Sequence, residues 1–274
     1  MSIARCVSKI MDRIAPLTLA EKWDNVGLLL EAPHQQQRST QKILLTIDLT
    51  TRVADEALSL PASMIIAYHP PIFKPLSSMT LSNPIQASLL RCAAAGISVY
   101  SPHSALDSVY GGINDWLASG LGSGRVALIG DEHPGGGGPG RILKLDEKTT
   151  LSSLQERVKK HLGLTQIQVA LAIDNPIKEV QSVAICAGSG GSLLLGVDAD
   201  VYFTGEMSHH EVLAAIASGR NVILCGHTNT ERGYLPVLAS KLRAELAKLD
   251  SEGKEFEAAS VHISQEDRHP LDFV

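Results

Sequence analysis

Short runs rich in β-branched and other apolar residues recur along the chain, separated by stretches whose apolar positions fall at three-and-four spacing. The runs at 43–47, 64–67, 97–100, 167–172, 183–186, 201–203 and 222–225 predict strands. The segment carrying Ile3, Val7, Ile10, Met11 and Ile14 predicts an amphipathic helix. Helices also fit 151–164, 210–217 and 235–249. Strands alternating with helices predict an α/β protein.

One compositional break interrupts this alternation. Residues 131–140 read DEHPGGGGPG, and glycines flanked by prolines sustain neither a helix nor an interior strand. The stretch lacks the lysine and spacing of a phosphate cradle, so it is expected to be a flexible loop. It divides the chain into a first α/β lobe over 1–125 and a second over 126–220, with 221–274 returning to complete the first.

Composition narrows the function classes. Of 274 residues, 44% are hydrophobic and 19% charged, a balance that supports a sizeable core rather than disorder. A formal net charge of -5 argues against a nucleic-acid surface, which concentrates Lys and Arg. Cys6, Cys92, Cys186 and Cys225 are widely spaced in apolar surroundings and form no C-x-x-C pair. They read as reduced core residues of a cytoplasmic protein. No uninterrupted apolar run reaches about 18 residues, and the N-terminus lacks a signal-peptide core, so neither a membrane span nor secretion is expected.

Candidate chemistry follows the strands. After 64–67 comes Tyr68-His69-Pro70-Pro71, and after 97–100 comes Ser101-Pro102-His103, with Asp107 one turn on. After 201–203 come Glu206, His209 and His210; after 222–225 comes Gly226-His227, with Glu231 four residues later. Ligands of α/β sheets bind beyond the carboxyl ends of strands, so these motifs are expected to share one rim. Imidazole nitrogens with carboxylate oxygens, and no nearby thiolate, suit iron, zinc, manganese or nickel. Bridging carboxylates would suit two ions about 3.5 to 4 Å apart.

Each motif also has a plainer reading. His69 fits a satisfied turn histidine, and Asp107 a cap for the helix that starts near Gly112. His227 and Glu231 fit a solvated helix start, where co-facing at four-residue spacing is ordinary. His209 and His210 are adjacent, so on a helix they point about 100 degrees apart and cannot both face one pocket. Asp24 and Asn25 read as turn formers.

Taken together, EKWDNVGLLLE, YHPPIFKPL, YSPHSALD with GGINDWL, YFTGEMSHHEVL, GHTNTERG and the terminal EDRHPLDFV resemble the Nif-three-like family, also called GTP cyclohydrolase I type 2-like. The resemblance implies two intertwined α/β lobes with a dinuclear metal site in the cleft between them, and assembly into homo-oligomers. Carried across residue by residue, it places metal ligands at His69, Asp107, His227 and Glu231, with Asp107 and Glu231 as bridges. His103, His209 and His210 fall at pocket positions, where an imidazole serves as general acid or base. Tyr68 stands where bacterial members carry a second histidine, the pattern of the eukaryotic branch, so one metal position has one imidazole fewer.

The expected function is a metal-dependent hydrolase, cyclohydrolase- or phosphoesterase-like, acting on a small and nucleotide-like substrate. It would hold two divalent ions per chain: iron, zinc or manganese. The alternative is a non-catalytic metal-binding protein that handles metal or partners a transcriptional regulator. Expected partners are a small-molecule substrate, further copies of the chain and possible protein partners, with neither nucleic acid nor membrane.

Overall fold

The computed structural model describes residues 2–33, 40–173, 179–251 and 259–271. In chain order its regular elements are α1 (Ile3–Ile14), β1 (Gly27–Leu30), β2 (Gln41–Thr46), α2 (Thr51–Ser59), β3 (Met64–Ala67), α3 (Pro84–Ala94), β4 (Ser98–Ser101), α4 (His103–Ser108) and α5 (Ile113–Ser119). They continue with β5 (Gly124–Leu128), β6 (Arg141–Thr149), α6 (Leu151–Leu162), β7 (Gln168–Ala170), β8 (Val180–Ser189), α7 (Gly191–Leu194) and β9 (Val201–Glu206). The last are α8 (His209–Ala217), β10 (Asn221–Leu224), α9 (Leu235–Ser251) and β11 (Ala259–Ile263). The α/β class expected from the alternation is the class observed. Two compact units divide the chain: 1–106 with 234–268, and 107–233 with 269–274. The last three residues of the terminal EDRHPLDFV motif lie outside the described residues.

The first unit is built on a five-stranded sheet of order β1-β4-β3-β2-β11. β11, β2, β3 and β4 run parallel, and β1 closes the β4 edge antiparallel. Both faces of the parallel strands are covered, so β3 and β4 are buried at every position. On one face Leu44, Ile65, Ala67 and Val99 pack with Val53, Ala54 and Ala57 of α2 and Leu89 and Cys92 of α3. α1 and α9 pack against each other and also against strands of this sheet. The α1 spacing buries Ile3, Val7, Ile10 and Met11, at about 1.5–3 kcal/mol for each large side chain. Ser2 caps this helix by accepting from the Arg5 N–H.

The second unit carries a six-stranded sheet of order β5-β6-β8-β9-β10-β7. Its central strands β8, β9 and β10 are parallel, while β5, β6 and β7 are antiparallel additions at the sides. Ala184, Tyr202 and Val222 of the central strands form a core with Leu194, Ala199 and Ala215. α6 ends on Gly163 in the left-handed conformation that favours glycine (φ 68°).

The glycine-rich segment expected to be a flexible loop is tied down at several points. Gly138 N–H donates to the Ser108 carbonyl at 2.9 Å, and His133 and Gly137 close a local turn, also at 2.9 Å. A Cβ at Gly137 would stand 2.1 Å from the Ser108 oxygen, so close backbone approach is what requires glycine there. Beside it the buried Arg141 guanidinium donates to the carbonyls of Ser108, Val109, Gly138 and Gly140 and forks onto Asp115. Among the described residues, no helix is long and apolar enough to cross a membrane.

Candidate metal centre

Strand register explains the histidine cluster of the first unit. β2 and β3 pair Thr46 with Ala67, and β3 and β4 pair Ile66 with Tyr100. Continuing each pairing past the carboxyl ends brings Asp48 beside His69, and His69 beside His103. His69 Nδ1 lies 2.9 Å from Asp48 Oδ1, and the rings of His69 and His103 have centroids 5.3 Å apart. The Tyr68 and His69 N–H groups continue the ladder to Thr46 and Ile47, and Ser101 Oγ donates to the Tyr68 carbonyl at 2.7 Å. Pro70 and Pro71 then prevent a helix from starting at once.

His103 is held from below by Asp24, whose side chain is 0% exposed. Asp24 Oδ1 lies 2.9 Å from His103 Nδ1, and Oδ2 accepts from the Ser104 N–H at 3.1 Å and from its hydroxyl. Burial alone would raise this carboxyl, but the hydrogen bonds from His103 and Ser104 outweigh it and hold the group below the usual carboxylate range. His103 has φ +25°, an uncommon backbone state for a residue with a Cβ. Trp23, Tyr68 and Phe73 surround its ring edge-on at centroid distances of 5.9, 5.3 and 6.4 Å.

The second unit also carries its candidate chemistry at strand ends. β8, β9 and β10 are parallel, with Cys186 and Leu224 both beside Thr204 and Ser189 beside Glu206, so Glu206 ends β9 while His227 opens the turn that follows β10. His227 Nδ1 lies 2.9 Å from Glu206 Oε1, and His227 Nε2 lies 3.3 Å from Glu231 Oε1. The segment His227–Thr230 is a 3-10 turn rather than the α-helix start that the spacing suggested, and buried Glu231 caps its end. Thr230 Oγ1 donates to the His227 carbonyl at 2.7 Å and accepts from Gly188 N–H at 2.9 Å. A Cβ at Gly188 (φ +63°) would stand 2.7 Å from Glu231 Oε1 and 2.9 Å from His227 Nε2.

Among the described residues, His69, His227 and Glu231 form a group that could hold a metal ion. The geometry at His227 fits a cation: carboxylate oxygens face both ring nitrogens, 2.9 Å from Nδ1 and 3.3 Å from Nε2, and a neutral imidazole donates to only one of them, so a cation at the other relieves the approach. Asp107 is not one of this group of three. Its main-chain carbonyl accepts from Asn114 Nδ2 at 3.2 Å, just before α5, whose N-cap is Gly112. Asp107 and Glu231 do act on one neighbour: burial, then the Asp107 and Glu231 carboxylates, push the Cys186 thiol far above its ordinary range. None of the four cysteines is in a disulfide, and burial raises Cys92 to about 11 and Cys225 to about 12. His209 and His210 are exposed on the first turn of α8, 5.5 Å apart in mutual contact, behind a capping box of Ser208 and Glu211.

Two of the carboxylates at these imidazoles were poorly legible. Asp24 read as a turn former, although it is buried against His103. Asp48 carries no motif of its own, because it follows its strand without a histidine. The available signal was positional: Asp48 comes two residues past β2, as His69 comes two past β3.

With this geometry in hand, comparison with known proteins is informative. The chain matches the Duf34/NIF3 (NGG1p interacting factor 3) family over residues 2–264. It is 46% identical to Protein NIF3 homolog of Schizosaccharomyces pombe over 279 residues, covering 98% of each chain. It is 45% identical to NIF3-like protein 1 of Drosophila melanogaster, covering 97% of this chain and 87% of that one. In fold it is similar to the crystal structure of a Bacillus cereus protein related to NIF3, with TM-score 0.83, 22% identity and 99% of each chain covered. A match this long to the family and to its eukaryotic relatives has one meaning: the chain belongs to the Duf34/NIF3 family.

Proposed function

We propose that the protein is a metal-dependent hydrolase of a small, nucleotide-like molecule, holding two divalent ions with His69, His227, Glu231 and Asp107. The observation that carries this reading is the His227 Nε2 to Glu231 Oε1 approach of 3.3 Å, with Nδ1 already engaged by Glu206. Imidazole nitrogen and carboxylate oxygen suit first-row ions such as iron, zinc and manganese. The second ion and Asp107 rest on the likeness of the SPHSALD and GHTNTE motifs to the family pattern. Bound divalent ions supply Lewis acidity and make a nearby water a nucleophile near neutral pH. The chain itself orients the ligands through Asp48, Glu206 and Thr230, and His103 Nε2 accepts or returns a proton. Trp23 and Phe73 beside His103 would exclude water from that side of a substrate. His209 and His210 are exposed proton carriers at the mouth of the second-unit strands.

Elemental analysis of the native protein tests the metal, with two ions per chain expected. Turnover of a phosphoester and nucleotide panel, lost in Asp107→Ala while the melting temperature holds, tests the reaction. Metal content without turnover of any panel member would overturn the hydrolase reading.

A second reading is a non-catalytic metal-binding partner of other proteins, and the family description, NGG1p interacting factor 3, favours it. Phe73, Leu76, Met79, Leu81 and Ile85 are exposed along a short stretch of the first unit, a surface suited to a protein or to another copy of the chain. Light scattering of the purified protein separates assembly into homo-oligomers from a monomer that keeps this surface for a partner.

A further inference from the structure

One construction recurs at His69, His103 and His227: a carboxylate oxygen 2.9 Å from Nδ1. A carboxylate oxygen accepts, so in each neutral imidazole Nδ1 carries the proton and Nε2 carries the lone pair. The partner carboxylate also fixes the ring plane. Three histidines from separate motifs sharing one tautomer argues against incidental contacts.

We infer that Asp48 and Glu206 are positioning residues for metal binding, presetting His69 and His227 with Nε2 as the donor nitrogen, and that Asp24 presets His103 in the same tautomer for proton acceptance rather than ligation. This rests on the metal reading above. His69 and His227 belong to the group that could hold a metal ion, of which His103 is not a member, and this separates the two uses of one construction. Burial ranks the partners: Asp24 is 0% exposed, Asp48 35% and Glu206 56%. Solvent screening therefore makes the Glu206 contribution smaller than that of Asp48.

The test is zinc affinity of the full chain, measured by competition with a chromophoric chelator, together with imidazole 15N shifts of the metal-stripped protein. Asp48→Ala is expected to weaken zinc binding about 10-fold or more, and Glu206→Ala by less, with melting temperatures near that of the parent chain. Asp48→Asn, whose amide oxygen still accepts from Nδ1, recovers part of the loss. Asp55→Asn, which removes an exposed carboxylate paired with Arg91 in the same unit, leaves affinity unchanged. Asp24→Asn leaves zinc affinity within about twofold but shifts the His103 ring nitrogens away from a pure Nδ1–H pattern. If Asp48→Ala fails to fold, Asp48→Asn and Glu206→Ala carry the result.

Parent-like affinity in both the Asp48 and Glu206 variants overturns the inference while the metal reading stands. An equal loss in Asp55→Asn reduces it to general charge and also overturns it. A loss in Asp24→Asn matching that of Asp48→Ala would make His103 a ligand and overturn its assignment. A parent chain that binds no zinc removes the metal reading and this inference together.

Discussion

Gly188 stands where a single methyl group would meet both His227 and Glu231: its Cβ would lie 2.9 Å from His227 Nε2 and 2.7 Å from Glu231 Oε1. The obstructed atoms are the ends of side chains, so the chain can relieve the clash by moving those ends, at the expense of the metal group. The left-handed φ of +63° adds a strain of about 1 kcal/mol for a residue with a Cβ. Gly188→Ala is therefore expected to lower zinc affinity about 10-fold or more while costing only a few degrees of melting temperature. Chelator competition and thermal melts of the same preparation check the two halves.

Arg141 anchors the glycine-rich segment to the end of α4. Its side chain is 1% exposed and its guanidinium forks onto Asp115 at 2.9 and 3.0 Å while donating to four carbonyls. Arg141→Ala leaves these acceptors buried and is expected to cost about 3–5 kcal/mol in urea unfolding. Arg141→Lys recovers little, because an ammonium cannot reproduce the planar fork.

Asn114 ties the strand before Gly188 to the residue that carries the Asp107 side chain. Its Oδ1 accepts from Ala187 N–H at 2.9 Å, and its Nδ2 donates to the Asp107 and Pro139 carbonyls at 3.2 and 3.0 Å. Asn114→Leu is expected to destabilise the protein by about 1–3 kcal/mol or more, since buried backbone groups lose their partners. It should also lower the number of ions held per chain, read by elemental analysis.

Stability is expected to fall with pH in a window set by His161. Its ring stacks on Trp116 at 4.4 Å, and burial holds it below the ordinary imidazole range against the opposing hydrogen bond to the Trp116 backbone. The unfolded chain takes up this proton first, near the ordinary value of 6.5, whereas the folded chain resists it. The contribution is complete above that pH, declines as pH falls toward the folded value, and levels off below it. His161→Phe should flatten the slope in urea melts followed by tryptophan fluorescence between pH 7 and 5.

Much of the fold was legible because the buried strands are short apolar runs. Met64–Ala67 and Val201–Phe203 announce strands buried on both faces, and the α1 pattern marks its buried stripe. The strands that escaped notice are edge or half-exposed ones. β5 is exposed over most of its length, β6 mixes alternating Leu143 and Leu145 with charges, and β1 and β11 lie at the sheet margins. Such strands are held by ladder hydrogen bonds rather than by apolar burial, so hydropathy does not report them. In the glycine-rich segment composition excludes helix and strand, as observed, but says nothing about the guanidinium that anchors it.

By itself the sequence determined the α/β class, the family, and the histidine motifs that follow strands, because these depend on local periodicity and on residue type. Only the tertiary structure decided which atoms meet. Parallel register past the strand ends set Asp48 against His69, and the 3-10 turn that follows β10 set His227 against both Glu206 and Glu231. Hydrogen-bonded pairing between distant segments fixes those neighbours, and no local pattern carries that information.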